Sequence, residues 1–403
     1  MKIGFSKKII TPTYPMQLCG YGDAKNSTGV HDELYIKAMI FQNNQRKIGI
    51  LSYDLLAVDS YLKTKILEQL PENYELILTA THTHQGPNHV VKTELTDLFL
   101  AVDETYHQYL VTQSVAAIKE ASQSLENFTT LFGRNNAHEI YSNRHSLSNY
   151  YNQRINIIQF VTESKKVYGL INFSCHPTIL KSDNTLFSKD LIWGIEKNLY
   201  GYDEVLFLNG TAGDISTRFH RGTSDYQQVN STGKLLASTI MTTDLRETEN
   251  LENLSVNYYD FNLKLKTPRP KTILEEEIRT IESQYQQTDD RGQKRNLETM
   301  IQGLQAEIDR SAFLTAHSSL SLSYVILDFG LFKIIGLPLE VFSVLAIDIF
   351  KYHKDCIVVS YVDGYLGYLV DDKSFDLGVY EAGSSLFARG EAEKLFKDII
   401  ARL

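Results

Sequence analysis

The sequence predicts an α/β protein: mixed β-sheets flanked by helices, with an antiparallel helical hairpin inserted late in the chain. Three observations carry this. Apolar runs rich in β-formers, such as Leu34–Phe41, Tyr74–Thr79 and Glu204–Leu208, recur between segments of helical period. Several of these runs end in small polar clusters, where α/β proteins place ligand sites. Residues 271–312 carry two narrow apolar stripes at helical spacing instead.

Composition bounds the function. The 403 residues are 43% hydrophobic and 22% charged, an ordinary globular profile that fits one large domain over 1–403 or two. A net charge of -9 argues against a nucleic-acid partner. Cys19, Cys175 and Cys356 are odd in number and scattered, which suits free thiols in a reducing compartment. The first ten residues hold no signal-peptide run, and no segment reaches membrane-spanning length, so the expected location is cytoplasmic.

In order, Ile9–Pro12 reads as a short edge strand ended by proline, and Cys19–Asp23 as a loop. Strands follow at Leu34–Phe41 and Lys47–Leu51, with Asp54 just beyond, then a helix over Ser60–Leu70. The apolar run Tyr74–Thr79 leads into Ala80-Thr81-His82-Thr83-His84-Gln85-Gly86-Pro87, where glycine and proline end regular structure. In an extended segment His82 and His84 point to one side; as a lone pair they equally suit a solvent-facing loop. Glu104–Leu125 is an amphipathic helix. Tyr141–His145 is a loop, and Arg154–Val161 with Val167–Phe173 a strand pair that delivers His176. Glu204–Leu208 runs into Asn209-Gly210-Thr211-Ala212-Gly213-Asp214-Ile215-Ser216, and residues 226–241 are helical.

Leu274, Ile278, Ile281 and Tyr285 form one stripe; Leu297, Ile301, Leu304 and Ile308 form the next, with Thr288–Gly292 between them. Stripes this narrow bury one thin seam, so the hairpin is expected to project from the body as a surface insertion, a lid or a homo-oligomer contact. Beyond it come strands at Leu320–Phe329, Leu331–Gly336 and Cys356–Ser360. A helix opens at Pro338-Leu339-Glu340, loops span Tyr361–Tyr368 and Tyr380–Gly383, and Glu391–Leu403 closes as a helix.

Polar clusters at Asp54, His82 with His84, His176, Asp214 with Ser216, and Tyr361–Tyr368 suggest one convergent cleft. Two histidines and a carboxylate from separate elements make a His₂Glu zinc set with one position open for water. Spacing does not single out the carboxylate among 49 acidic residues; pattern alone reads Glu340 as an acid favoured at a helix start.

The motifs Thr81-His82-Thr83-His84-Gln85-Gly86-Pro87, Asn143-Arg144, His176, Gly213-Asp214-Ile215-Ser216, Gly336-Leu337-Pro338-Leu339-Glu340, Gly367-Tyr368 and Tyr380-Glu381-Ala382-Gly383, in this order, resemble the neutral/alkaline non-lysosomal ceramidase family. The resemblance runs from about Ile10 to about Ser385. It implies Zn²⁺ held by His82, His176, Glu340 and Tyr368. It also implies oxyanion stabilisation by Tyr380, substrate contacts from His84 and Arg144, and Ser216 at the position of a serine once assigned as nucleophile. Ser216 shows no base partner in the local sequence, so a structural or substrate-contacting role suits it better. Asp214 could orient a zinc-binding histidine, or it could cap its own turn.

The implied activity is zinc-dependent hydrolysis of a linear amide by attack of zinc-bound water, with His84 a candidate proton donor to the leaving amine. The first substrate class is a ceramide-like N-acyl amine; the alternatives are a small soluble N-acyl compound or amino-sugar amide, and a binding protein with a vestigial site. Against the leader and immunoglobulin-like C-terminal domain of family members, neither is expected here. The chain also reads Gln85-Gly86-Pro87 and Ser216-Thr217-Arg218 where the family has Ser-Gly-Pro and Ser-Pro-Asn.

Overall fold

The computed structural model describes residues 1–92, 101–248, 251 and 254–403. Its main element is a large mixed sheet. Eight strands run in the order Glu204–Asn209, Val167–Phe173, Arg154–Thr162, Glu126–Asn136, Lys2–Ile9, Tyr35–Asn43, Arg46–Tyr53 and Tyr74–Ala80. Two neighbouring pairs are parallel: Arg46–Tyr53 with Tyr74–Ala80, and Val167–Phe173 with Glu204–Asn209. Tyr53 lies opposite Ala80 and Phe173 opposite Asn209, so each pair ends in register. The polar segments that follow therefore leave the sheet at matched positions.

A second sheet contains Ser255–Lys264, Ser319–Asp328, Lys333–Gly336 and Cys356–Val359. The two sheets bury a shared core in which Ile50, Ile77, Leu206 and Leu208 meet Leu327, Ile334, Ile357 and Val359. Burying each such side chain stabilises the fold by about 1.5–3 kcal/mol. Alternate residues of the same strands face outward: Leu51, Leu76 and Leu78 pack with Leu62, Leu110 and Ile118 of the helices Ser60–Leu67 and Glu104–Gln123. The helices Leu191–Asn198 and Tyr226–Met241 cover the other half of that face. Their axes meet at Gly194 and Gly233, where a Cβ on Gly233 would lie 2.0 Å from the Gly194 carbonyl carbon. Leu395, Phe396 and Ile399 of the closing helix cover the second sheet. The layers are thus helix, sheet, sheet, helix, and period-two alternation explains why each strand can serve two cores.

Several expectations change. The first strand is Lys2–Ile9, inside the large sheet rather than at an edge, paired with Tyr35–Asn43 on one side and through Lys2 and Ile3 with Glu126–Asn136 on the other. Its Lys7 and Lys8 disguise it: each reaches a carboxylate, Glu204 and Glu120. Glu340 does not start a helix. It lies in the short strand Glu340–Val341, paired in parallel with Tyr368–Leu369, and its Cα partner is Tyr368 itself. Tyr380–Ser384 is a helical turn, not a loop. The segment 271–312 forms the helices Lys271–Gln287 and Arg291–Ala316, packed on each other. They do not simply project: the second helix seats on Tyr380–Ser384, where a Cβ added at Gly383 would lie 2.7 Å from Gly303 O.

Among the described residues no helix is long and apolar enough to cross a membrane. The three cysteines are free and buried.

Candidate metal centre

Both parallel pairs release their chains into one cleft. Past Ala80 the backbone turns sharply: His82 takes φ 69°, so the segment is not extended there. His82 and His84 still face the same space, with ring centroids 5.0 Å apart. His82 is 1% exposed, stacks on Tyr361 at 4.0 Å, and holds Leu56 O through Nδ1 at 2.8 Å. His176 is also 1% exposed, and its Nδ1 meets Ala212 O at 2.6 Å and Ile215 O at 3.2 Å. A carbonyl oxygen only accepts, so Nδ1 carries the proton in each neutral ring and Nε2 presents a lone pair.

Those two lone pairs converge on one carboxylate. Glu340 Oε2 lies 3.0 Å from His176 Nε2 and 3.4 Å from His82 Nε2. Burial holds His176 below the ordinary histidine range, and the nearby Arg144 charge adds to this. Glu340 is buried, and a carboxylate this deep is costly unless positive charge lies beside it. An ionised carboxylate facing two unprotonated nitrogens places three acceptors around one point. A cation satisfies all three, and the residue types suit zinc. His84 completes a group with His82 and His176 whose ligand atoms lie within 4.8 Å of one another and could hold a metal ion. Among the described residues neither His84 ring nitrogen has a hydrogen-bond partner, and burial keeps the ring well below its ordinary pKa.

The other site residues expected from the sequence divide into those that gather here and those that do not. The Tyr368 hydroxyl accepts from Arg144 Nη2 at 3.1 Å, and the guanidinium lies 5.5 Å from the Tyr368 ring centroid. Burial, then the Glu340 charge, raises the Tyr368 pKa against the pull of Arg144. Tyr380 lies 6.1 Å from Tyr368, ring to ring, and faces the same cavity. Ser216 pairs by backbone with His176, but its only side-chain hydrogen bond among the described residues is from Arg218 N–H at 3.3 Å. The Asp214 carboxylate reaches neither histidine. It accepts from Asn143 Nδ2 at 2.8 Å and from Ser343 N and Oγ at 2.8 and 2.9 Å. The carbonyls on either side of Gly213-Asp214 hold His176 instead. Asp54 stays behind the site, accepting from Tyr35 N and from Thr81 Oγ1.

Sequence reasoning gave no role to Tyr365, Glu381 or His145. The Tyr365 hydroxyl donates to Glu340 Oε1, leaving Oε2 to the histidines. Glu381 accepts from Arg144 Nε at 2.5 Å and lies 2.9 Å from His145 Nε2. The tyrosine density of 361–368 is a signal for the first, and Glu381 lies within the motif Tyr380–Gly383, but nothing local marks its partner His145.

The reacting face opens into a cavity of about 330 Å³, with Gly20, His84, Tyr380 and Leu386 among its walls and Ala306, Asp309 and Arg310 of the inserted hairpin as its roof.

Residues 1–195 match the family model described as neutral/alkaline non-lysosomal ceramidase, N-terminal. Two solved structures are similar along the chain. One, described as a ceramidase complexed with C2, has a TM-score of 0.72 at 16% identity, over 100% of this chain and 75% of that one. The other, a neutral ceramidase from Pseudomonas aeruginosa, has a TM-score of 0.75 at 15% identity, over 99% and 73%.

Proposed function

We propose that this protein is a zinc-dependent hydrolase of a linear amide bond: residues 1–195 match the neutral/alkaline non-lysosomal ceramidase model, and the fold is similar to two ceramidase structures along the length of the chain. The observation that carries the reading is the convergence of His82 Nε2, His176 Nε2 and Glu340 Oε2 without a proton to share. His82, His176 and Glu340 would hold the metal, with Tyr368 as the fourth protein group. Zinc bound there supplies a Lewis acid for the carbonyl oxygen and a water whose pKa falls to about 7.

The remaining groups act on the substrate. Tyr380 donates to the carbonyl oxygen as negative charge develops on it, and Arg144 contributes positive charge from beside Tyr368. His84 is neutral and unpaired, so it can take a proton at one ring nitrogen and pass it to the leaving amine. Tyr365 fixes which carboxylate oxygen of Glu340 faces the histidines. The hairpin roof limits water above the reacting bond. Ser216, whose oxygen has no base beside it, contributes to the fold of the His176 turn rather than to attack.

Ceramide-like N-acyl amines are the substrate class that the two ceramidases suggest. The cavity favours a second reading within the same chemistry. At about 330 Å³, with Leu56, Ala306, Leu366 and Leu386 as its apolar side chains, it suits a small N-acyl compound better than two enclosed hydrocarbon chains.

Elemental analysis with an N-acyl-amide panel of graded chain length tests both statements. About one zinc per chain is expected in the wild type, with loss of metal and turnover in His82→Ala and His176→Ala. Full metal content in both variants would remove the ligand assignment.

A further inference from the structure

The loop Asn143-Arg144-His145 is pinned by two buried carboxylates, and only one of them touches the side chain that reaches Tyr368. Asp214 fixes the backbone: its carboxylate takes Asn143 Nδ2, and its carbonyl accepts Arg144 N–H at 2.7 Å. The direction of the guanidinium is left to Glu381. This residue is 1% exposed and sits in the turn Tyr380–Ser384, next to the proposed oxyanion donor. Its Oε1 receives Arg144 Nε at 2.5 Å and also meets Arg144 Nη2, and its Oε2 lies 2.9 Å from His145 Nε2. Arg144 Nη2 is thereby aimed at the Tyr368 hydroxyl, 3.1 Å away.

We propose that Glu381 is a positioning residue for amide hydrolysis: it aims the Arg144 guanidinium at the Tyr368 oxygen and ties that aim to the placement of Tyr380. The proposal rests on the hydrolase reading above. A carboxylate this deep is costly unless paired, and its two oxygens face consecutive residues of one loop. An acid needed only to anchor the turn Tyr380–Ser384 could do so through backbone N–H groups. Glu381 instead spans to the loop opposite. The guanidinium meets Glu381 through both Nε and Nη2, and Nη2 is shared with the Tyr368 hydroxyl, so the planar fork fixes its direction toward Tyr368.

The test uses full-length, metal-loaded Glu381→Gln, Glu381→Ala, Arg144→Lys and the Glu381→Gln/Arg144→Lys double variant, assayed on the best N-acyl amide found. Glu381→Gln should lower kcat about 10–100-fold while KM stays within about threefold. In the Arg144→Lys background the same change should cost little further, because both act through one group. A crystal structure of Glu381→Ala should show the guanidinium away from Tyr368 with the turn Tyr380–Ser384 in place. Wild-type kcat in Glu381→Gln, independent losses in the double variant, or Arg144 still bonded to Tyr368 in Glu381→Ala would overturn the proposal. If Glu381→Ala does not fold, the near-isosteric Gln variant decides through the first two measurements. Should the wild type cleave no N-acyl amide, the hydrolase reading falls, and the Arg144 position in Glu381→Ala still decides the role of Glu381.

Discussion

Gly20→Ala should damage the reaction while sparing the fold. Gly20 sits at φ +99°, a conformation that side chains rarely adopt, and its loop is held to the strand exit by the Cys19 N–H to Gly86 O bond at 3.0 Å. A Cβ there would lie 2.4 Å from His84 Nδ1 and 2.5 Å from its Cγ, whereas ordinary contacts fall at 3.4–4 Å. The imidazole must therefore retreat by about 1 Å, and among the described residues no hydrogen bond to either ring nitrogen holds it back. A 1 Å misplacement of a reacting group can cost about 10²-fold in rate, equivalent to about 2.7 kcal/mol of lost transition-state stabilisation. The strained φ costs about 1–2 kcal/mol of stability, against a typical total of about 5–15 kcal/mol, so the variant should remain folded. The assay is kcat/KM on the best N-acyl amide, beside a thermal melt and metal content. Gly22→Ala is the control, since a Cβ there meets nothing within 4 Å in the same cavity wall. A folded, metal-replete Gly20→Ala with wild-type kcat/KM would show that the reaction does not use His84 where it stands.

Tyr380→Phe should lose about 10²–10³ in kcat with zinc retained, whereas Tyr368→Phe should weaken metal retention; equal metal loss in both would refute the division of roles. Ser216→Ala should keep substantial activity, and an acyl group trapped on Ser216 and seen by mass spectrometry would contradict this. Burial pushes the Asp190 carboxyl up to about 7, against the Leu180 N–H and the Arg221 charge. Because the folded state holds this proton more tightly than the unfolded chain, with its pKa of about 3.9, the contribution to stability is full below about pH 4. It is lost as pH rises through about 7. Asp190→Asn removes that titration, so its melting temperature relative to wild type should climb between pH 4 and 7, and a flat difference would rule this out.

The strands of the large sheet that carry His82 and His176 were legible because apolar runs with polar exits are a local signal. Glu126–Asn136 and Ser255–Lys264 were not. Both are only partly buried, Ser255–Lys264 alternates with exposed polar residues such as Asn257 and Asp260, and their pairing partners lie far away in sequence. Glu340 shows the same limit at the site. Its residue type fits a helix start, and only its pairing with Tyr368 places it in a strand. The motif Tyr380–Gly383 could be seen but not its chemistry, since the partners of Glu381 are Arg144 and His145, more than half the chain away. The hairpin's periodicity was readable, while its seating depends on the Gly303–Gly383 contact, which no stripe of apolar residues encodes.

The two histidines leave the large sheet, while Glu340 and Tyr368 come from the segments around the second. The proposed ligands therefore straddle the seam between the two sheets, and no half of the chain contains all of them. An ion bound there would act as a rivet between layers, adding to the apolar core by mass action: about 2.7 kcal/mol when free metal stands at 100 times Kd. Chelation should then loosen the join before it melts either sheet. A chain whose second sheet had not yet docked would carry histidines but no acid to complete the set. The proposed hydrolytic site would then be complete only once the two sheets have docked.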